Sequence, residues 1–301
     1  MLEYRAEGLC RNANHLSREE LSRCMASGEV LQSTALAYDT GHRLRFELGG
    51  LRGIMPFADC VDAAPGETVK DIAVLTRVGR PTCFVIMGTE FDDNGEEYYL
   101  LSRAEAQRRC RAQYLDTLEA GSVIPCTVTH IENFGAFCDI GCGALGLLGT
   151  RRICMSRPAH AADCLRVGQR IFTAVRTIDP VQRRVTLTMR ELLGTWQENA
   201  ARFRAGQTVT GIVRTVTDYG TFIALTPNLC GLAETDGRLR PGQAVCVFIR
   251  AILPETLRIK LTVLHPLEAL PPQALVYTRT ESHLDLWRYG TPDRAKAVTI
   301  F

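Results

Sequence analysis

From Glu29 onward, apolar and polar residues alternate in short bursts instead of recurring at helical spacing. Leu44, Phe46 and Leu48 alternate with Arg43, Arg45 and Glu47, a period of two that predicts a half-buried strand. Gly49-Gly50 breaks that strand, Pro65-Gly66 reads as a turn, and Asp92-Asp93-Asn94-Gly95 turns the chain into a closing strand over Tyr98–Leu101. Further strands are predicted over Val123–Ile131, Ala136–Ile140, Leu145–Leu148, Ile171–Ile178 and Arg184–Met189. Ile259-Lys260-Leu261-Thr262-Val263 repeats the alternation of Val185-Thr186-Leu187-Thr188-Met189. Helical signals are few. Ser17-Arg18-Glu19-Glu20 fits a capping box opening a helix that ends near Gly28, with Leu16, Leu21, Cys24 and Met25 on one face. Ser102–Leu118 and Glu191–Phe203 read as helical links.

The strand-rich text is repeated. Gly121–Gly146 returns as Gly206–Gly231, ungapped, with Phe134-Gly135-Ala136-Phe137 matching Tyr219-Gly220-Thr221-Phe222. The second halves pair at a shorter offset: Gly168-Gln169 with Gly242-Gln243, Pro180 with Pro254, Arg184 with Arg258, Leu187 with Leu261. The residues between Gly146 and Gly168 are therefore a loop insertion and not a barrel strand. Residues 29–103 follow the same order in weaker form and count as a first, degenerate copy. A repeat at this scale fixes the architecture before any single residue does. Five short strands per copy with glycine corners suit a small closed barrel of the OB type, and closure removes exposed sheet edges.

Composition narrows the class. No apolar run approaches the ~18 residues of a membrane span. The start, MLEYRAEGLCRNANH, lacks an apolar core behind a basic end, so no signal peptide is expected and the cytoplasm is the expected location. The 12 cysteines include no CxxC pair, which argues against a disulfide framework or zinc site and for buried thiols. Net charge is only +2 but uneven. Residues 1–118 carry 14 basic and 18 acidic side chains (14 − 18 = −4), residues 119–192 carry 9 and 6 (+3), and residues 204–265 carry 7 and 4 (+3). Lysine occurs only at Lys70, Lys260 and Lys296, so the basic charge is nearly all arginine, which makes forked contacts to phosphate.

Alternation assigns the faces. Ala136, Cys138 and Ile140 point one way, Phe137 and Asp139 the other; an ionised Asp139 belongs in water, which puts Phe137 on the solvent side. Ile223 and Leu225 take the core, leaving Phe222 outward. Arg184, Thr186 and Thr188, and likewise Arg258, Lys260 and Thr262, fall on the outer face. Exposed rings beside cations are what single-stranded nucleic acid requires: bases stack on the rings and cations follow the phosphates. The alternative is that Phe137 and Phe222 are core residues of a twisted strand or shelter under a loop.

The opening glycines, FGAF and YGTF, the turn at Gly146-Leu147-Leu148, the Gly-Gln before strand four and the closing RVTLTM and RIKLTV resemble the S1 RNA-binding domain family. The whole chain is similar to three-repeat S1-type proteins of Firmicutes. The resemblance implies an all-β protein with short linking helices, made of three tandem five-stranded OB-fold (S1-type) barrels. Residues 1–28 form an N-terminal segment with a short helix, 29–103 the degenerate barrel, 104–118 a helical linker, 119–192 the second barrel, 193–203 a second helical linker, 204–265 the third barrel and 266–301 a tail packing on it, with Pro266, Pro271 and Pro272 marking an extended link. The resemblance places the RNA face on Phe134, Phe137, Asp179 and Arg184, and on Tyr219, Phe222 and Arg258, to which the outer-face assignment adds Lys260. There are departures: the family's third-strand His is Gly149 or Glu234 here, Asp179 becomes Leu253 in the third copy, and Arg45 with Glu47 replaces the ring in the first. The expected function is non-catalytic binding of single-stranded RNA, mRNA above all, in translation at the small ribosomal subunit. The expected protein is a monomer without cofactor, metal, membrane or small-molecule substrate. The alternative is a ribosome- or protein-docking scaffold. Phosphodiester hydrolysis needs clustered carboxylates holding metal or a poised His pair. The six histidines, at 15, 42, 130, 160, 265 and 283, show no such grouping in sequence.

Overall fold

The computed structural model describes residues 4–63, 66, 68–269 and 273–301; Pro65, Pro271 and Pro272, and with them the predicted turn and link, lie outside the described residues. Seven strands form the first sheet: β1 (Arg11–Asn12), β2 (Leu31–Thr34), β3 (Ala37–Tyr38), β4 (Arg43–Leu48), β5 (Leu51–Pro56), β6 (Pro81–Phe91) and β7 (Glu97–Ser102). Their neighbour order is β1-β2-β6-β7-β5-β4-β3. β5 and β7 are parallel, and the other core pairs are antiparallel. This is the order of an OB barrel whose first strand is split: β2 pairs with β6, β3 pairs with β4, and the chain is interrupted at Ala35-Leu36. The sheet therefore curls without closing, unlike the other two. Gly49 and Gly50, at φ 55° and 85°, form the tight β4–β5 turn, a backbone that a side chain would strain.

Helix α1 (Arg18–Ser27) carries the full capping box on Ser17 and Glu20, stops at left-handed Gly28, and buries Leu21 and Cys24. With α2 (Asp71–Leu75) and α3 (Arg103–Gln113) it accompanies the first sheet. The core there includes Leu44, Phe46, Leu48, Phe84, Tyr99 and Leu101, the inward half of the alternation.

The next five strands, β8 (Val123–Glu132), β9 (Gly135–Gly141), β10 (Ala144–Gly149), β11 (Arg170–Asp179) and β12 (Arg184–Thr188), close into a barrel. The insertion between β10 and β11 contains α4 (Thr150–Ile153) and no strand. A single short helix, α5 (Trp196–Ala200), leads to the last barrel, which is smaller than the predicted helical stretch over Glu191–Phe203. Strands β13 (Thr208–Thr217), β14 (Gly220–Thr226), β15 (Leu229–Ala233), β16 (Ala244–Leu253) and β17 (Arg258–Pro266) close in the same order. The repeat reaches single bonds: Gly121 N–H donates to Val175 O at 2.8 Å, and Gly206 N–H to Ile249 O at 2.9 Å. Arg183 and Leu257, at equivalent positions, both turn with φ 52°.

The C-terminal residues form a hairpin, β18 (Leu286–Thr291) and β19 (Arg294–Ile300). Trp287 and Tyr289 are buried in one cluster with Val213, Ile223, Val247 and Trp196 of the last barrel and its helix. The preceding stretch runs along the second barrel, where Val123 N–H donates to Ser282 O and Leu284 N–H to Gly121 O.

Candidate functional site

The two closed barrels present the same aromatic pair. Phe134 and Phe137 meet edge-on at 6.0 Å between centroids and 90°; Tyr219 and Phe222 meet at 6.0 Å and 84°. Both arrangements follow from one strand start. The glycine between the rings packs closely on the neighbouring strand, and a Cβ on Gly135 would stand 2.4 Å from Leu148 O. The flanking residues Ala136, Cys138 and Ile223 are buried, while Phe137 and Phe222 are half-buried on the outer face. Phe134 and Tyr219 are exposed, at 58% and 73%. Edge-to-face geometry is a favourable one for aromatic pairs.

In the third barrel, register extends the row. Phe222 pairs with Leu232 and Leu232 with Lys260, so the ring and the ammonium rise from one face two strands apart, about 10 Å at ordinary strand spacing. Arg258 lies two residues before Lys260 on the same face, and both are exposed. In the second barrel Arg184 is exposed at the start of β12. Asp179 is partly committed: its carboxylate accepts from Gln182 N–H at 2.9 Å and shapes the turn before Arg184.

Two outward positions are covered. Asp139 does lie opposite Ala136 and Cys138, but it is 1% exposed and not in water as expected. It accepts from Gly141 N–H (2.9 Å), Gly143 N–H (3.0 Å) and Glu7 N–H (2.7 Å), so the N-terminal segment caps it. Burial, then the neighbouring Glu7 carboxylate, pushes its pKa up to about 6. Thr188 is likewise fully buried, its hydroxyl bonded to the buried Glu191 carboxylate.

A cleft opens beside the third barrel's ring pair, lined by Tyr219, Phe222, Arg214, Trp196, Arg157 and Lys296 among others. Asn228 builds it. Fully buried in the β14–β15 turn, its side chain accepts from Met155 N–H at 2.9 Å and donates to Arg190 O (2.7 Å) and Gly194 O (2.8 Å). Its backbone oxygen accepts from the Tyr289 hydroxyl. Burial lowers the Lys296 ammonium's affinity for its proton, assisted by nearby Arg258, and its Nζ donates to Leu257 O at 2.6 Å. Arg214, Arg157, Lys296 and Asn228 were missed in the sequence. Arg214 sits at a strand position whose copy-two counterpart is Thr129, and the others come from a loop, a tail and a turn.

All 12 cysteines are unbridged thiols and none is fully exposed. Among the described residues no group of three or more His, Cys, Asp or Glu is placed to hold a metal ion. No helix among them is long and apolar enough to cross a membrane.

No family profile matches the chain. Curated relatives do. The small ribosomal subunit protein bS1 of Rhizobium meliloti is 30% identical over 187 residues, 58% of this chain and 33% of that protein. That of Rhodopseudomonas palustris is 30% identical over 210 residues, 66% of this chain and 35% of that protein. That of Streptococcus pneumoniae is 27% identical over 252 residues, 76% of this chain and 59% of that protein. The chain thus spans about a third of the length of the first two. Among solved structures, a multidomain protein with nucleic acid binding domains from Streptococcus pneumoniae is 13% identical over 79% of this chain and 74% of its own, with a TM-score of 0.27. GSP13 from Bacillus subtilis is 20% identical over 30% of this chain and 74% of its own, with a TM-score of 0.25. Across its repeats the chain is similar in sequence to the small ribosomal subunit proteins bS1, and its closed five-stranded barrels have the OB-type strand order that such repeats predict.

Proposed function

We propose that the chain is a non-catalytic RNA-binding protein that engages single-stranded RNA, mRNA in particular, during translation at the small ribosomal subunit, as a cytoplasmic monomer. The observation that carries this reading is the twice-repeated outward ring pair, with Arg258 and Lys260 on the face of Phe222. Planar bases stack on such rings at roughly 1–3 kcal/mol each, and Arg184, Arg258 and Lys260 follow the phosphates. Asp179 contributes by holding the turn that presents Arg184. The similarity to bS1 proteins supports the ribosomal setting. The unit of function is one repeat: the curled sheet of residues 29–103 and the barrels of 119–192 and 204–265, with 1–28, 104–118, 193–203 and 266–301 as flanking segments. The test is the double substitution Phe137→Ala with Phe222→Ala, which weakens binding to single-stranded RNA more than to duplex; unchanged single-strand affinity rejects the stacking face.

A second reading, protein docking, is favoured by the first sheet alone. There Arg45 takes the place of Phe137 and is spent on Asp39 at 3.0 Å, so this copy has no ring at that position. A ribosome pull-down that survives RNase and requires residues 29–103 would assign that copy to protein contact.

A further inference from the structure

The cleft beside Tyr219 and Phe222 has a volume of about 380 Å³, inside the range of small-ligand sites. Its cations come from three separate segments: Arg214 from β13, Arg157 from the insertion of the second barrel, and Lys296 from β19. Among the described residues no carboxylate lines it. Arg214 is the informative residue. Its side chain is only 6% exposed, yet its nearest carboxylate, Asp163, stands 3.9 Å from Nη1, beyond hydrogen-bond reach. Nη2 has only the Cys164 sulfur, at 3.9 Å, and Nε has no partner among the described residues. The Trp196 indole N–H on the same wall is also unpartnered. Asp163 balances the Arg214 charge without taking a hydrogen bond, so the unmatched donors of Arg214 and Trp196, beside Arg157 and Lys296, point to an anionic occupant. Tyr219 lines the same cleft while being 73% exposed, so its ring stands where the cleft meets solvent.

We propose that this cleft holds one nucleotide of a single-stranded RNA, with its phosphate on the Arg214 fork and Arg157 and its base against Tyr219. The proposal rests on the RNA-binding reading and adds to it a phosphate subsite in the third barrel. In the second barrel the position of Arg214 is Thr129, whose hydroxyl is bonded to Phe137 O. The insertion and the C-terminal hairpin thereby become parts of the binding surface instead of spacers.

The experiment uses the full chain and two substitutions: Arg157→Gln, at an exposed position, and Arg214→Lys, which keeps the charge but loses the fork. Binding of a 12-residue oligouridylate is followed by fluorescence anisotropy from about 50 to 300 mM KCl, with folding checked by circular dichroism. Losing one phosphate contact to a single strand lowers the slope of log K against log salt by about 0.7, which is about five-fold in affinity at 0.1 M. Arg157→Gln shows that drop in slope. Arg214→Lys binds at least five-fold more weakly with its slope kept. If Arg214→Lys does not fold, Arg157→Gln alone decides. A protein that binds oligouridylate with Arg157→Gln matching wild type in slope and affinity overturns the cleft and leaves the RNA-binding reading intact. Wild type that binds no oligouridylate overturns that reading. Uridine monophosphate and inorganic phosphate, titrated against tryptophan fluorescence, separate a nucleotide from a free anion. Tighter binding of the nucleotide supports the subsite, and equal binding of the two overturns it.

Discussion

Asn228→Ala tests the joint on which the third barrel's cleft depends. The wild-type amide makes three bonds of 2.7–2.9 Å from a fully buried position, to Met155 N–H, Arg190 O and Gly194 O. Each is worth about 1 kcal/mol net, and the partners left unpaired in the interior add part of a desolvation cost of about 1–3 kcal/mol apiece. The sum is about 3–5 kcal/mol, a large fraction of an ordinary stability of about 5–15 kcal/mol. For a body of 150–250 residues that lowers Tm by roughly 10 °C. The reporters are already in place, since Trp196 and Trp287 are 2% and 3% exposed within the affected cluster. Urea unfolding followed by tryptophan emission reads the loss directly. Tyr289→Phe is the internal scale: it removes one bond, to Asn228 O, and costs about 1 kcal/mol. Were Asn228→Ala to cost under about 1 kcal/mol with an unchanged denaturant slope, the turn would not be the anchor inferred here. The consequence for binding follows from the same geometry. Met155 is one wall of the cleft and Ser156 N–H donates to Pro227 O, so releasing the loop loosens Arg157 and weakens oligonucleotide binding beyond the loss of stability.

Tyr219→Ala separates function from folding: at 73% exposure it changes stability by under about 0.5 kcal/mol and weakens single-stranded RNA binding by about 1–3 kcal/mol, roughly 5- to 150-fold, measured by anisotropy beside a thermal melt. Glu7→Ala leaves Arg103 buried without its partner at 2.6 Å and frees Arg77, at 2.5 Å, so it costs about 3–5 kcal/mol, read as faster amide exchange in β7 and α3. Asp139 has its pKa raised from 3.8 to about 6, so between those values the folded state holds a proton that the unfolded chain has already released. Its contribution is therefore present below pH 4 and lost as pH rises through 6, about 3 kcal/mol at 1.4 kcal/mol per pH unit. Glu7, whose pKa is lowered by the Arg103 and Arg77 guanidinium groups against its burial, works the other way, stabilising above pH 4.5 and failing as pH falls below it. A urea series between pH 4 and 7 on wild type and Asp139→Asn gives the Asp139 slope as the difference between the two profiles; identical profiles refute the assignment.

What could be read from the chain alone divides by the range of the interactions involved. Alternation is local, so the strands of the second and third barrels and the inward places of Ala136, Cys138, Ile223 and Leu225 followed from it directly. The capping box at Ser17 is local too, and formed in full. Asp139 and Thr188 show the limit: the period of two placed both on the outer face, but nothing within reach of the pattern reveals that Glu7 or Glu191 would cover them. Asn228 reads only as part of a Pro-Asn turn, because its partners Met155, Arg190 and Gly194 lie 34 to 73 positions away. Arg214 escapes for a similar reason. An arginine on the outer face of a strand looks solvated until an insertion and a C-terminal hairpin close over it.

The first copy shows why topology and chemistry must be argued apart. Its strands have the same neighbours as the other two barrels, down to the parallel β5–β7 pair. Yet the break at Ala35-Leu36 opens its ring, and Arg45 stands where the others carry phenylalanine. The guanidinium there is held by Asp39, which also takes Arg43, so neither cation is left over for a phosphate. A fold keeps its strand order through core residues such as Leu44, Phe46 and Leu48, which persist; its outer face is under no such demand. Installing a ring by Arg45→Phe would therefore not by itself confer binding. Asp39 would be left without one of its two partners, and the acidic balance of residues 1–118 would still repel a polyanion. The expected result is an N-terminal sheet whose affinity for single-stranded RNA stays unmeasurable in the same anisotropy assay. Appearance of tight binding from that one change would show that the ring alone, without its cations, makes the site.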